Sequence, residues 1–175
     1  MNLFVETSLK DLLIILFNDF KTIDYIHLNQ YKNKLENLPN LIDQLLRKNN
    51  LKLSNINSFL VTNGPGSFTG SRAGFFYLKS LAQILKKNLY LMSSLNFIAL
   101  NKVGKYYFEA KSNQSYCLDI STNGDHHYSL VNKTFDSKID YQIWINDINN
   151  LLFLFKKVTN FLDAKVNYIK EPTIN

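Results

Sequence analysis

Three observations in this sequence predict an α/β fold. The first hundred residues alternate extended and helical patterns in the order β-β-β-α-β-α-β-α. A glycine-rich turn, Gly64 to Gly74, runs from one of those strands directly into a strongly helical stretch. With 46% apolar and 14% aromatic residues in 175, the chain carries enough hydrophobic mass to bury a core.

Met1 to Thr7 reads as the first strand, with Leu3 and Val5 on one face and Phe4 and Glu6 on the other. Lys10 to Asn18 and Lys21 to Leu28 follow as strands, separated at the turn-prone Asn18-Asp19. Leu35, Leu38, Leu41, Ile42, Leu45 and Leu46 keep helical spacing to about Asn49, and Pro39 should kink or restart that helix. Ser58 to Thr62 is a strand, Arg72 to Lys87 a helix and Leu89 to Met92 a strand; Ser93-Ser94 caps a short helix through Leu100. Beyond Gly104 the pattern changes to strands at Lys105–Ala110, Tyr116–Ile120 and Tyr128–Val131. A helix is predicted over Asp147–Lys157 and a last strand over Lys165–Lys170. The division into two lobes is placed at residues 1–102 and 103–175.

A strand–glycine loop–helix unit is either an anion cradle or a tight packing joint. A mononucleotide phosphate loop spaces its glycines five apart before Lys-Ser/Thr; here Gly66 and Gly70 are four apart and Ser71 stands in the lysine's place. A dinucleotide loop needs a third glycine where Thr69 stands and an acid some 20 residues on, which the stretch after Arg72 lacks. The joint is the better reading, with Gly64 and Gly66 shaping the turn and Ser67 or Thr69 capping the helix.

On a helical wheel Arg72, Lys79, Gln83 and Lys86 fall within about 60° of one another, and nearly everything else is apolar or small. A helix this apolar around its girth needs cover on a second side. Either another segment of the same chain supplies it or a partner subunit does, with Gly70 and Gly74 admitting a close backbone.

The remaining features exclude more than they assign. Net charge is +6, but only Arg47 and Arg72 are arginines and the lysines are scattered, so charge alone makes a weak case for free-standing RNA binding. One cysteine, Cys117, excludes an internal disulfide. No apolar run is long enough to span a bilayer, and Glu6, Lys10 and Asp11 break any secretory-signal pattern, so a cytoplasmic location without membrane contact is expected. His27 stands apart and His126 and His127 are adjacent, so none has metal-ligand spacing with a nearby acid. Asp119 and Asp125 read as solvated turn and strand-end carboxylates.

The stretch Gly64-Pro65-Gly66-Ser67-Phe68-Thr69-Gly70-Ser71-Arg72-Ala73-Gly74 resembles the signature of the TsaB (YeaZ) family at every fixed position. Flanking matches support it. Glu6-Thr7-Ser8 ends the opening strand where the family has Asp-Thr-Ser, and Leu38 to Leu46 resembles its helix before the motif. Glu109-Ala110-Lys111 stands where Asp-Ala-Arg is common, ahead of Tyr116, and Tyr168-Ile169-Lys170 resembles a Tyr-x-Arg near the C-terminus.

The resemblance implies the actin-like/Hsp70-like ATPase (RNase H-like) fold, with a complete N-terminal lobe and a shortened C-terminal one. It implies a non-catalytic subunit of the machinery that makes threonylcarbamoyladenosine on tRNA, supporting a TsaD-like catalytic subunit on which a TsaE-like ATPase docks. RNA would be met only within that complex, and a homodimer is expected when the chain is alone. No catalytic, cofactor-binding or metal-ligating residue is implied. The partner surface expected on these grounds is Leu38, Leu41, Leu45, Gly70, Gly74, Leu78, Leu81 and Leu85. The rival is a nucleotide-binding enzyme of the same fold that uses Gly64–Gly74 as a phosphate cradle.

Overall fold

The structure is a computed structural model and describes residues 1–19 and 21–169. The order of elements is β1 (Asn2–Glu6), β2 (Leu12–Phe17), β3 (Thr22–Leu28), α1 (Lys34–Lys48), β4 (Ser58–Thr62), α2 (Phe68–Ile84), β5 (Asn88–Met92) and α3 (Ser94–Ala99). Then come β6 (Gly104–Glu109), β7 (Gln114–Ile120), β8 (His126–Asn132), α4 (Tyr141–Asp147), a 3-10 segment (Ile148–Leu154) and β9 (Lys156–Lys157).

Six strands form a mixed sheet in the order β3-β2-β1-β4-β5-β9. β1 pairs antiparallel with β2 and parallel with β4, which pairs parallel with β5. Two cores lie on its two faces, as period-2 alternation requires. Leu3 and Val5 pack with Leu38, Ile42, Phe75 and Leu78 of α1 and α2. Phe4 points the other way, towards Phe97, Trp144 and Leu118. β2 is apolar at every position because both of its faces are covered. The second sheet, β6-β7-β8, is an antiparallel meander.

The sequence reading needs correction in four places. Pro39 neither ends nor restarts α1, which runs unbroken to Lys48; the bond it removes belongs to the carbonyl of Leu35, in an exposed first turn that water can satisfy. α2 begins at Phe68, a turn earlier than Arg72, because Ser67 caps it: its Oγ accepts from Gly70 N at 3.3 Å. The helix expected at Asp147–Lys157 is a 3-10 segment over Ile148–Leu154, preceded by the α-helix α4, which ends at Asp147. α4 starts at Tyr141, where Asp140 Oδ1 accepts from Gln142 N and Ile143 N. Lys156 and Lys157 instead extend the sheet edge beside β5, with Val158 N donating to Leu89 O. The strand expected at Lys165–Lys170 is absent from the described residues 165–169; Lys170 lies outside them.

The 102/103 division falls between α3 and β6, and the chain recrosses it. From β9 onward it lies against the first sheet, with Ala164, Phe161 and Val166 joining the α1–α2 core.

Candidate functional site

The glycine loop is built around the turn that follows β1. A Cβ on Gly66 would overlap Ser8 O, one on Gly70 would overlap Thr7 O, and one on Gly74 would overlap Thr7 Oγ1. Thr7 Oγ1 donates to Gly70 O at 2.7 Å and accepts from Gly74 N at 3.2 Å, locking strand end to helix. Ser67 N donates to Ser8 O at 2.8 Å. Gly64, at φ +94°, is the one glycine of the motif that needs a left-handed backbone. The mouth that a phosphate would have to enter is therefore filled by the carbonyl oxygens of Thr7 and Ser8. Carbonyl oxygens repel an anion, so the arrangement is that of a joint.

A buried polar cluster braces the same turn. Glu6 Oε1 accepts from Leu9 N at 2.8 Å, and Lys34 Nζ donates to Thr7 O at 3.1 Å and to Leu9 O. Burial pushes the Glu6 carboxyl above its ordinary range, although bonds to Thr62 and Leu9 and the charge of Lys34 pull the other way. Burial likewise lowers Lys34 and raises the Tyr141 phenol. His27 Nε2 meets Asp11 Oδ2 at 2.9 Å and its ring lies 4.4 Å from that of Tyr141. Nothing in the spacing of Lys34 marked it as buried; its place on the first turn of α1 puts it over the β1–β2 turn.

The other candidates of the sequence reading stay apart. His126 bonds Asn101, Asp119 pairs with Lys105 at 3.2 Å, Asp125 is exposed, and Cys117 is a buried free thiol. No helix among the described residues is long and apolar enough to cross a membrane.

The expected partner surface divides. Leu38, Leu45 and Leu78 are buried in the chain's own core, and Gly70 and Gly74 face Thr7, so these five are unavailable to a partner. Their small size or apolar character serves internal packing. Leu41, Leu81 and Leu85 are half-buried at the edge of that core. The large apolar side chains that do project from α1 and α2 are Leu35 at 57% exposure, Phe76 at 52% and Ile84 at 76%, with Phe68 at the start of α2 at 44%. The N-terminal half of the polar stripe is covered by the chain itself, Lys79 Nζ donating to Ala164 O at 2.9 Å and Arg72 Nε to Tyr168 Oη at 2.8 Å, while Gln83 and Lys86 are exposed.

Comparison with known proteins places this architecture. The chain shares the fold of two solved structures, YeaZ from Pseudomonas aeruginosa (TM-score 0.59, 19% identity) and a protein titled as similar to that YeaZ (TM-score 0.61, 18% identity). Each match covers 75% of this chain and 66% of the other. Among curated sequences it is 34% identical over 119 residues to the uncharacterized protein MG208 of Mycoplasma genitalium, covering 66% of this chain. It is 25% identical over 113 residues to the tRNA N6-adenosine threonylcarbamoyltransferase of Rickettsia prowazekii, covering 62% of this chain. The chain spans 60% of the length of the first of these relatives and 29% of the second. The family model described as TsaD, tRNA N6-adenosine threonylcarbamoyltransferase, matches residues 28–143, more than half of the chain and including the whole glycine motif. On that match the chain belongs to the TsaD/YeaZ family.

Proposed function

We propose that this protein is a non-catalytic subunit of the machinery that makes threonylcarbamoyladenosine on tRNA, docking in the cytoplasm on a catalytic TsaD-like relative. The observation that carries the reading is the apolar side chains left open on α1 and α2: Leu35, Phe76 and Ile84. Large apolar side chains left in solvent on two packed helices suit an association surface, which would also have to take in the half-buried side chains between them. The filled mouth of the glycine loop weighs against the phosphate-cradle rival, because the loop spends its glycines on Thr7 and Ser8. A TsaE-like ATPase would dock on the assembled pair, and tRNA would be modified there.

The test is co-purification of this chain with the transferase homologue of its own organism. Phe76→Glu and Ile84→Glu should each abolish pairing while the isolated protein stays folded, because both side chains already face solvent. Normal pairing by both variants would refute this surface. Loss of self-association in the same variants would show that copies of the chain use the face when the partner is absent.

A further inference from the structure

Three positions set apart in the sequence as family likenesses, Arg72, Lys111 and Tyr168, meet at one place around Phe68. The Arg72 guanidinium carbon lies 3.7 Å from the centre of the Phe68 ring, and Lys111 Nζ lies 5.9 Å from the same centre. The Tyr168 ring sits 6.4 Å away, tilted by 32°. Phe68 is 44% exposed, with the exposed Ser67 and Thr69 on either side. We propose that Phe68, Arg72, Lys111 and Tyr168 form a platform for single-stranded nucleic acid, stacking an unpaired base and holding its adjacent phosphate.

Charge is the first argument. Two cations converge on one aromatic ring, and among the described residues no carboxylate lies within ion-pair distance of either. Elsewhere the basic side chains near acids are paired: Lys10 with Asp136, Lys105 with Asp119, Lys133 with Glu109. Cations left together without a counter-charge suit an anion supplied from outside, and a phosphodiester is one. The second argument is planarity. A guanidinium stacked on an aromatic ring extends a flat surface on which a base of any identity can lie. The third is preorganisation. Arg72 Nε is committed to Tyr168 Oη, so the guanidinium is held in place while its terminal nitrogens have no partner among the described residues. An acidic protein segment would satisfy the charges but leave the stacking surface unused.

The proposal goes beyond the subunit reading and is tested without the partner, on the full chain. The probe is a labelled, unstructured oligoribonucleotide followed by fluorescence anisotropy over a salt series. The wild type should bind with an affinity that falls as salt rises. Lys111→Glu, in an exposed turn, should weaken binding about tenfold and flatten the salt dependence by about one unit of slope. Phe68→Ala should weaken it about tenfold, and Phe68→Trp should retain it. Lys86→Glu makes the same charge change just past the far end of α2, a helix about 25 Å long, and should have little effect. Circular dichroism checks that each variant is folded. Absence of salt-dependent binding by the wild type would overturn the proposal. So would equal losses in Lys111→Glu and Lys86→Glu, or competition by polyglutamate as effective as by RNA. Co-purification with the transferase reads the other surface, so the two readings fail separately.

Discussion

Replacing Gly70 with alanine tests the joint most directly. The added methyl would overlap Thr7 O, a backbone atom that no rotamer change can move aside. α2 must then retreat from the end of β1, straining the Thr7 Oγ1 to Gly70 O bond of 2.7 Å and the Gly74 N to Thr7 Oγ1 bond of 3.2 Å. Forced overpacking costs about 1–3 kcal/mol, and each weakened bond about 0.5–1.5 kcal/mol. Alanine returns about 1 kcal/mol through its better helix propensity. The net loss is about 1–5 kcal/mol, or on the order of 2–20 °C in Tm for a chain of this size. The single tryptophan, Trp144, is buried and reports unfolding by its emission, so urea denaturation gives the number. Gly124→Ala is the control: no atom lies within 4 Å of its added methyl, and only the backbone penalty at φ +81°, about 1 kcal/mol, applies. A Gly70→Ala protein as stable as the wild type, or more so, would refute the close-approach argument.

Further outcomes follow from the same contacts. Thr7→Val keeps shape but removes both hydroxyl bonds to α2; because Gly74 N–H and Gly70 C=O stand at i and i−4 and can pair with each other, it should cost only about 0.5–1.5 kcal/mol by the same denaturation assay. Leu78→Glu buries a charge where the wild type is fully apolar and should unfold the chain, whereas Ile84→Glu should leave its circular dichroism and Tm unchanged. Glu6 holds its proton in the folded state above 4.5, the ordinary value at which the unfolded chain releases it. The folded state binds more protons in that window, so stability is greatest below it and falls as pH rises through the folded value. Glu6→Gln should remove that slope in denaturation curves measured from about pH 5 upward. Trp144→Phe loses the bond from Nε1 to Phe97 O at 3.0 Å and should cost about 1–2 kcal/mol, followed by circular dichroism since the fluorophore is gone.

β1, β2, β4 and β5 were legible because each alternates between its faces or is apolar throughout, whereas β3, at the sheet edge, showed through its β-branched and aromatic residues and the turn before it. The loop announced that backbones approach closely, through three glycines in seven residues, but not what approaches them: Thr7 and Gly70 are 63 positions apart. The failure after Asp147 has a different origin. Leu151 to Phe155 is an apolar run that suits a helix, yet its residues divide between layers, with Leu154 and Phe155 buried and Phe153 exposed. The stretch is helical but wound as a 3-10 segment over Ile148–Leu154, and only Lys156 and Lys157 beyond it pair with the open edge of β5. Lys34 and Tyr141 were invisible as members of a polar cluster because neither carries a motif; topology alone brings them to the β1–β2 turn.

The apolar girth of α2 was an accurate signal with two causes folded together. One arc meets β4 and β1, where the glycines seat Thr7. A second arc, Arg72 and Lys79 of the polar stripe, is held by Tyr168 and Ala164 of the chain's own C-terminal segment. What remains for a partner is smaller than the wheel suggested. Three anchors of the size of Leu35, Phe76 and Ile84 present a few hundred Å² of apolar surface, worth of the order of 10 kcal/mol at about 25 cal/mol per Å². Association itself costs about 4–15 kcal/mol, so these three alone sustain a weak pair at best. A stable subunit contact must also recruit the half-buried rim of Leu41, Tyr77, Leu81 and Leu85. For that reason a single charge at Ile84, the most exposed of the anchors, should be enough to break it.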